Sequence, residues 1–380
     1  MVVRSSAATY RDGSPSPTAT PILCEAHDDP CLPDRDRVGT FVIELRTHER
    51  IPTGAARTEW ELLLDEDPHA TVFQGPRYLG LWYEVFGGRT AMRVHTVHRD
   101  GRLIGVIADA NDLHGSPTGP EELRRFLGGT EVTDYLGPVS RVEDRTDVAD
   151  AYVANLAGDV DWDEFVAGGL AEESGWADAF RRAVHAHGLT LIEDDVEDVC
   201  PRVDLRGGYD AYQSRLPGRA RQELNRKTRK LARDAGDLEL VEVPAGEVVG
   251  AIDAFLDQAG ESFPDKQGFF SRPDIHDWFK ALAEEFAKDG TLRLHELHVG
   301  GLPAASTVSL VACGKWGLYN SSFDPMLGSL APGVVIIRML IERAAEEGCH
   351  VFDLLRGDEP YKYRFGAEDQ RLERLTIGRG

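Results

Sequence analysis

The sequence RVHTVHRDGRLIG, from Arg93 to Gly105, is matched in its spacing by RLHELHVGGLPAAS, from Arg293 to Ser306. At an offset of 200 residues Arg, His, His and Gly recur, with an aliphatic residue before each second histidine. Apolar and polar positions alternate in both stretches, which then meet the turn dipeptides Asp100-Gly101 and Gly300-Gly301. Both stretches therefore predict a β-hairpin with a two-residue turn.

The surroundings of the two hairpins also match. Helical spacing of large apolar residues precedes each hairpin, at 75–87 and 275–290, and each helix pattern stops at a glycine. The alternative is chance, because helix plus hairpin is a common unit; we prefer a tandem duplication. It predicts an α/β (α+β) fold of two domains with mixed, largely antiparallel sheets flanked by helices, joined near 200–210.

Beyond the hairpins, helical spacing continues at 177–188 before a strand at 189–194 in the first half. In the second half a strand at 315–322, a helix at 332–347 and a final strand at 349–356 are predicted. The predicted organisation is a disordered tail over 1–38, a first domain over 39–200 and a second domain over 201–380.

Composition agrees with two folded domains. The 380 residues exceed what one core normally holds, and 42% are hydrophobic and 28% charged. The tail lacks the pattern of a secretory signal, and the most apolar run, 333–341, contains Arg338 and is shorter than the roughly 20 residues that cross a bilayer. Five cysteines, an odd number, do not suggest a disulfide framework. We expect a cytoplasmic protein without a transmembrane segment.

The charge distribution is uneven. The net charge of -23 argues against a DNA-binding protein, yet residues 215–233 carry eight Lys or Arg and one Glu. On a helix, Leu224 and Leu231 would anchor this segment by burial. A solvated face is the ordinary explanation, and a dock for a phosphate-bearing ligand is the functional one. The basic residues that can share a helical face are Arg219, Arg226, Lys227, Lys230 and Arg233.

A second candidate site is the helix start in SSFDPMLGSLAPGVVIIRMLIERAAEEGC, residues 321–349. Pro332 opens the predicted helix, Gly333 follows it and Gly348 ends it. A helix start with small residues leaves backbone N–H groups free for an anion such as a pyrophosphate. Neither a P-loop nor a G-x-G-x-x-G fingerprint is present, so an ordinary buried helix is the alternative.

The segment FDLLRGDEPYKYRFG, residues 352–366, places donors and aromatic residues directly after a predicted strand. Ligands in α/β sheets bind at strand ends beside helix N-termini. Arg356 and Lys362 fit the role of binding a phosphate or carboxylate of the acceptor. A surface ion pair with Asp358 or Glu359 is the alternative.

Together the basic helix, GLPAAS, YNSSFDP, SLAPG and FDLLRGDEPYKYRFG resemble the GNAT-type acyltransferases of the CelD group, which is associated with cellulose biosynthesis. They are also similar to the Fem-type peptidoglycan aminoacyltransferases, which share a tandem GNAT architecture. The resemblance spans about 40–375 and is strongest over 209–366. It implies that the helix start holds the pyrophosphate of acetyl-CoA or another acyl-CoA. The matching positions are Ser329, Leu330, Ala331, Gly333 and Val334.

Direct acyl transfer needs a base for the acceptor's proton and a donor for the departing group. Asp324, Asp353 and Glu359 are candidate bases, and Tyr319 or Tyr361 could act as the acid. Alternatively, Asp324-Pro325 is an ordinary turn pair and Asp353 an edge residue of its strand. Arg226 and Lys227 join Arg356 and Lys362 as candidate substrate-binding residues.

Other chemistry is not predicted. His295 and His298 lie three apart on a strand and point to opposite faces, so a shared metal is not expected, and there is no G-x-S-x-G elbow. The leading hypothesis is transfer of an acyl group from acyl-CoA to an amine or hydroxyl, on a saccharide or polysaccharide precursor.

Two further hypotheses remain open. One is Fem-like aminoacyl transfer from tRNA to a cell-wall precursor, and the other is a catalytically silent GNAT-like module that binds a polysaccharide-synthesis partner. Because the first half has no counterpart of SLAPGVV, we expect it to shape the acceptor side without binding a cofactor.

Overall fold

The structure, a computed structural model, describes residues 18–23, 41–88, 90–112, 123–129 and 131–379. The strands are β1 (Thr18–Leu23), β2 (Val42–His48), β3 (Met92–Arg99), β4 (Arg102–Asp112), β5 (Leu123–Phe126), β6 (Val139–Ser140), β7 (Glu164–Ala171), β8 (Thr190–Asp204), β9 (Leu238–Glu242), β10 (Leu292–Val299), β11 (Leu302–Ala312), β12 (Lys315–Phe323), β13 (Val351–Asp353) and β14 (Glu368–Gly378). The helices are α1 (Ala55–Glu66), α2 (Pro76–Phe86), α3 (Arg145–Gly158), α4 (Trp176–Ala186), α5 (Gly208–Arg215), α6 (Gly218–Ala235), α7 (Val248–Ser262), α8 (Gln267–Phe270), α9 (Pro273–Phe286) and α10 (Pro332–Glu346).

The chain divides into two compact units. The first consists of 1–83, 87–197 and 372–380, and the second of 84–86 and 198–371. In the first unit the strand order is β1-β2-β3-β4-β5-β7-β14, and in the second it is β8-β13-β12-β11-β10-β9. Each sheet is antiparallel except for one parallel pair, β5 with β7 and β12 with β13. The fold is therefore mixed α/β with largely antiparallel sheets, as predicted.

The two predicted hairpins are present as β3–β4 and β10–β11. Both turn residues of each hairpin have positive φ, 50° at Asp100 and 82° at Gly101 in the first, and 59° and 85° at Gly300 and Gly301 in the second. This is the conformation that a tight turn between twisted strands requires. Both ladders also carry a bulge at the same place, between Val97 and His98 and between Leu297 and His298.

The repeat extends beyond the hairpins. In the first unit the antiparallel strands β2–β5 are followed by helix α3 and by β7, which is parallel to β5. In the second unit the antiparallel strands β9–β12 are followed by helix α10 and by β13, which is parallel to β12. Each parallel ladder has three residue pairs. The two cores differ in their side chains. Val148, Tyr152, Phe165 and Phe180 belong to the first core; Leu231, Trp316, Ile336 and Leu340 belong to the second.

The structure differs from the predicted boundaries in three places. Residues 18–23, inside the predicted disordered tail, pair with Val42–Thr47 as a strand; the rest of that tail lies outside the described residues. The predicted strand 349–356 is only three residues long, because Leu355 turns into the left-handed region with φ 57°. The strand β14 was not predicted, and its residues 372–378 pair with β7 in the first unit rather than the second.

None of the helices in the described residues combines the length and the apolar character needed to cross a membrane.

Candidate functional site

The site lies in the second unit, where the parallel strands β12 and β13 separate. Their ladder joins only Lys315–Gly317 to Val351–Asp353. Helix α10 links the two strands and begins after β12, so its N-terminus lies near the carboxyl end of that strand. This is the arrangement in which α/β sheets bind ligands. The three segments singled out in the sequence meet around this point.

The first segment is the start of α10. A 3-10 helix over Pro325–Leu330 leads into Ala331, whose φ of 57° and ψ of 52° are left-handed and turn the chain into the helix. No side chain caps α10 and its first turn contains no acidic residue. A helix start of this kind favours an anion.

The predicted cofactor-binding residues all lie in this loop and first turn. Ser329 is exposed, and Leu330, Ala331, Gly333 and Val334 are half-buried. The Val334 N–H donates to the Ala331 carbonyl at 3.1 Å, so that amide has an internal partner. At Gly333 a Cβ atom would meet no atom closer than Phe323 Cδ1 at 3.6 Å. A side chain at this position would therefore begin in van der Waals contact with the Phe323 ring, without a clash.

The second segment, the basic helix α6, lies beside this loop. The Lys230 ammonium donates to the Ser329 carbonyl at 3.4 Å. Leu224 and Leu231 are buried at 3% and 0% exposure, so they anchor the helix as predicted. The contact through Lys230 brings a cation to the start of α10.

Two of the other predicted cations of α6 are partly neutralised by one carboxylate. Arg226 makes two 2.8 Å hydrogen bonds to the Glu223 carboxylate, and Lys227 Nζ lies 3.8 Å from Glu223 Oε1. The Arg226 hydrogen bonds hold the pKa of Glu223 at about 2, well below its usual value. Arg226 and Lys227 therefore have an internal partner, and both remain near solvent.

An open groove of about 330 Å³ runs between α6 and the 3-10 helix Lys362–Phe365. Its lining combines an apolar floor with cations from both sides. The lining residues are Pro217, Arg219, Ala220, Glu223, Leu224, Lys227 and Arg364.

The third segment, after β13, is organised by Lys362. Its buried ammonium donates to the carbonyls of Leu355, Arg356 and Gly357 at 2.9, 2.7 and 3.0 Å, and lies 2.9 Å from the Glu359 carboxylate. A lysine has three N–H donors, and all three are used here. The structure therefore gives Lys362 a different role from the predicted substrate contact: it shapes the loop.

Arg356 and Glu359 lie in the same loop. The Arg356 guanidinium is 3.7 Å from the Asp198 carboxylate, and its side chain is 16% exposed. Burial disfavours the Glu359 carboxylate, but the Lys362 ammonium outweighs that cost and holds the pKa of Glu359 below its usual range. Glu359 is thus an ion-pair partner of Lys362 inside the loop.

Both candidate aspartates make structural contacts. Asp353 is buried, and its carboxylate accepts from Arg202 Nε and from the Leu355 N–H, each at 2.8 Å. Asp324 caps the 3-10 helix by accepting from the Met326 N–H at 2.8 Å. These contacts match the alternatives weighed for the two residues, an edge residue of its strand and an ordinary turn.

The two candidate tyrosines differ. The Tyr319 hydroxyl accepts from Trp278 Nε1 at 2.8 Å, and its ring packs 5.5 Å from that of Phe279. Burial, followed by the charge of Glu359, raises the pKa of Tyr361 far above its usual value. Tyr361 therefore remains protonated at neutral pH and can donate a hydrogen bond or a proton.

Two residues near the end of β12 had no signal in the sequence. Ser262 on α7 accepts from the Phe323 N–H at 2.8 Å, and Gln258 accepts from the Ser322 hydroxyl at 2.7 Å. Both partners are more than 60 positions away along the chain. They hold the strand end in place next to the start of α10.

Comparisons with known proteins agree with this geometry. Residues 218–363 match the family model of the acetyltransferase (GNAT) domain, which covers all three segments. The crystal structure of FemX is similar to this chain with a TM-score of 0.62 and 11% identity, over 85% of this chain and 96% of that one.

A conserved protein of unknown function from Bacteroides thetaiotaomicron VPI-5482 is similar with a TM-score of 0.55 and 12% identity, over 85% and 97% of the two chains. No curated protein sequence matches the chain. At these identities the two structures show a shared fold.

Proposed function

We propose that this protein is a GNAT-type acyltransferase that moves an acyl group from acetyl-CoA or another acyl-CoA to an amine or hydroxyl of an acceptor. One observation carries the proposal: the uncapped start of α10 lies against the basic helix α6, through Lys230 and Ser329. A helix N-terminus and a cation together suit the pyrophosphate of an activated donor.

In this proposal the donor's phosphates lie along the loop and first turn of α10. The candidate contacts are Ser329, Leu330, Ala331, Gly333 and Val334, and Lys230 adds a charge beside them. The lack of a side chain at Gly333 supports a close approach of the phosphates to the backbone of the first turn. The acyl end would then extend toward the point where β12 and β13 separate.

The chemistry is nucleophilic attack of the acceptor on the thioester carbonyl. A C–N or C–O bond forms, the C–S bond breaks, and the thiolate takes up a proton. Tyr361, which follows β13, is our candidate for the donor to the departing thiolate: its hydroxyl is protonated at neutral pH, and because its raised pKa makes it a weak acid, it would act by hydrogen bonding to the thiolate. Tyr319, two residues beyond the part of β12 that pairs with β13, is the second candidate. Asp324 and Asp353 are weaker candidates for the base, since a cap and an ion pair already use their carboxylates.

We place the acceptor near the groove between α6 and the segment after β13. Arg219, Lys227 and Arg364 line it, which favours an acceptor with an anionic group. Arg356 at 16% exposure and Arg226 at the groove's edge are further candidate contacts. A saccharide or cell-envelope precursor with a phosphate or carboxylate has this chemistry, and it agrees with the motifs that resemble the CelD group.

Calorimetry of acetyl-CoA and longer acyl-CoAs against the full-length protein tests the donor. Gly333→Ala places a methyl group at the helix start, and Lys230→Ala removes the charge beside it. We expect each to weaken binding by about tenfold, equivalent to about 1.4 kcal/mol. Gly250→Ala is the matched control, because α7 has open space at Gly250 and no predicted role in binding.

Four outcomes distinguish the hypotheses. Binding of acyl-CoA that both variants weaken supports the proposal, and binding that neither variant changes contradicts the assigned site. Binding of an aminoacyl-tRNA in place of every acyl-CoA would favour Fem-like transfer. If the protein binds none of these donors, the catalytically silent GNAT-like module becomes the preferred hypothesis.

A further inference from the structure

A group of polar side chains lies buried on the face of the second sheet that α10 covers. His295 on β10 is directly opposite Thr307 on β11, and Ser309 lies two residues further along on the same face. The Trp316 ring on β12 is 5.6 Å from the His295 ring, centroid to centroid. All four side chains are at most 1% exposed, so bulk solvent does not reach them.

Five polar atoms of these side chains have no hydrogen-bond partner among the described residues. In the described parts of the chain, no hydrogen bond reaches either ring nitrogen of His295, Thr307 Oγ1, Ser309 Oγ or Trp316 Nε1. The Glu242 carboxylate lies 3.6 Å from His295 Nε2, beyond hydrogen-bonding distance. Buried polar atoms are nearly always hydrogen-bonded, to protein or to ordered water, so five in one patch require a ligand.

The first unit shows what the same positions do when protein groups satisfy them. His95 is the counterpart of His295, and Asp109 occupies the position of Ser309. The Asp109 carboxylate lies 2.8 Å from His95 Nε2 and accepts from the Tyr152 hydroxyl at 2.7 Å. The other His95 nitrogen is 3.0 Å from the Thr47 hydroxyl. The repeat therefore has a polar histidine site in both units, but only in the first does a buried carboxylate hydrogen-bond to the histidine.

We propose that the second unit binds internal water at this site, between His295, Thr307, Ser309 and Trp316, in place of the carboxylate of the first unit. A buried water makes about three hydrogen bonds, and the patch offers both hydrogen-bond donors and acceptors. Trp316 Nε1–H donates, the hydroxyls donate and accept, and the neutral His295 ring provides one donor and one acceptor. Small neutral molecules other than water would have to pass the apolar side chains of α10.

Water–protein cross-relaxation at the indole N–H groups tests the proposal directly. We expect a water cross-peak at the Trp316 Nε1–H in the deuterated, indole-labelled protein. Trp162 is the matched control: it is also fully buried, but its Nε1–H donates to the Leu156 carbonyl at 2.9 Å. A cross-peak at Trp316 and none at Trp162 supports the site, and the absence of a cross-peak at Trp316 overturns it.

The sign of a stability change provides a second test. Thr307→Val combined with Ser309→Ala removes both hydroxyls with little change of shape. If the hydroxyls bind water, the variant loses hydrogen bonds and its Tm falls by about 2–4 °C. If they are dry, their removal relieves an unfavourable burial and the Tm rises or stays constant, which would overturn the proposal. Ser322→Ala shows that the assay detects the loss of a buried hydroxyl, since Ser322 donates to Gln258 at 2.7 Å.

Discussion

Among single residues, Lys362 shows how far the contacts of a side chain can differ from the role its surroundings suggest. In the sequence it lies between two tyrosines in a donor-rich segment, which indicates a phosphate contact. In the structure its ammonium is buried and donates to three backbone carbonyls of its own loop. The short distance along the chain, five to seven residues, made this contact possible, but only the turn at Leu355 and Gly357 aims the carbonyls inward.

We expect Lys362→Met to lower the free energy of unfolding by about 2–4 kcal/mol, because three buried carbonyls and the Glu359 carboxylate lose their partner. Urea denaturation measures this change. Arg226→Ala is the control, because an ion pair between exposed side chains adds little to stability. Equal unfolding midpoints for Lys362→Met and the wild type would show that the loop does not depend on the lysine.

His295 makes stability depend on pH. Burial, with the charges of Arg293 and Arg343, lowers the pKa of His295 to about 4. An unfolded histidine titrates near 6.5, so between these values the unfolded chain binds a proton that the folded chain does not. Stability therefore falls as the pH falls from about 6.5 to 4, by roughly 3 kcal/mol for this residue.

The measurement is the unfolding free energy at several pH values for the wild type and for His295→Gln. The variant should lose this part of the pH dependence, while the other buried histidines, such as His48 and His98, contribute equally to both proteins. Parallel curves for the two proteins over pH 4 to 6.5 would be incompatible with the lowered pKa.

Among the elements, α10 begins with a strained residue. Ala331 is left-handed, with φ 57° and ψ 52°, a conformation that side chains other than those of Gly, Asn and Asp seldom adopt. The sequence predicted the helix from Pro332 and its apolar spacing. It did not predict the left-handed turn, because alanine is an unusual residue for it.

We expect Ala331→Val to cost about 1–2 kcal/mol of stability, since a β-branched side chain is more strained in this region, whereas Ala331→Gly should not destabilise the protein. Chemical denaturation of both variants tests this. Ala254→Val on the exposed face of α7 controls for the lower helix propensity of valine, an effect of about 0.5 kcal/mol. A cost at position 331 no larger than at 254 would argue against the left-handed conformation.

In the whole molecule, the first unit includes a strand from the far end of the chain. Residues 372–378 of β14 pair with β7 in the first unit, whereas residues 202–204 of β8 pair with β13 in the second. Leu375 and Ile377 are fully buried in the first core, although they follow the second unit in the chain. The predicted second domain over 201–380, which was inferred from the tandem repeat, therefore includes residues that the structure places in the first unit.

We therefore expect Leu375→Ala to destabilise the first unit by about 2–5 kcal/mol, the usual cost of a large cavity. Hydrogen exchange should increase in α3 and β7. Leu297→Ala, at an equally buried position of the second core, is the matched control and should increase exchange in β10 and β11 instead. Unchanged protection of α3 in Leu375→Ala would contradict the assignment of β14 to the first unit.

The amino-acid sequence by itself determined the two hairpins, the helix after Pro332, the amphipathic basic helix and the mixed α/β class. These features depend on local rules: alternation, helical spacing and turn dipeptides with positive φ. The matching bulges at His98 and His298 show that even a detail of the ladder follows the repeated residues.

Only the tertiary structure decided which of the candidate side chains make hydrogen bonds or ion pairs within the protein. Asp353 pairs with Arg202, which is 151 positions away, and Lys230 reaches Ser329 across 99 positions. Such contacts depend on how strands and helices pack, and no local pattern encodes them. For the same reason β14 could not be assigned to the first unit before its partner strand was known.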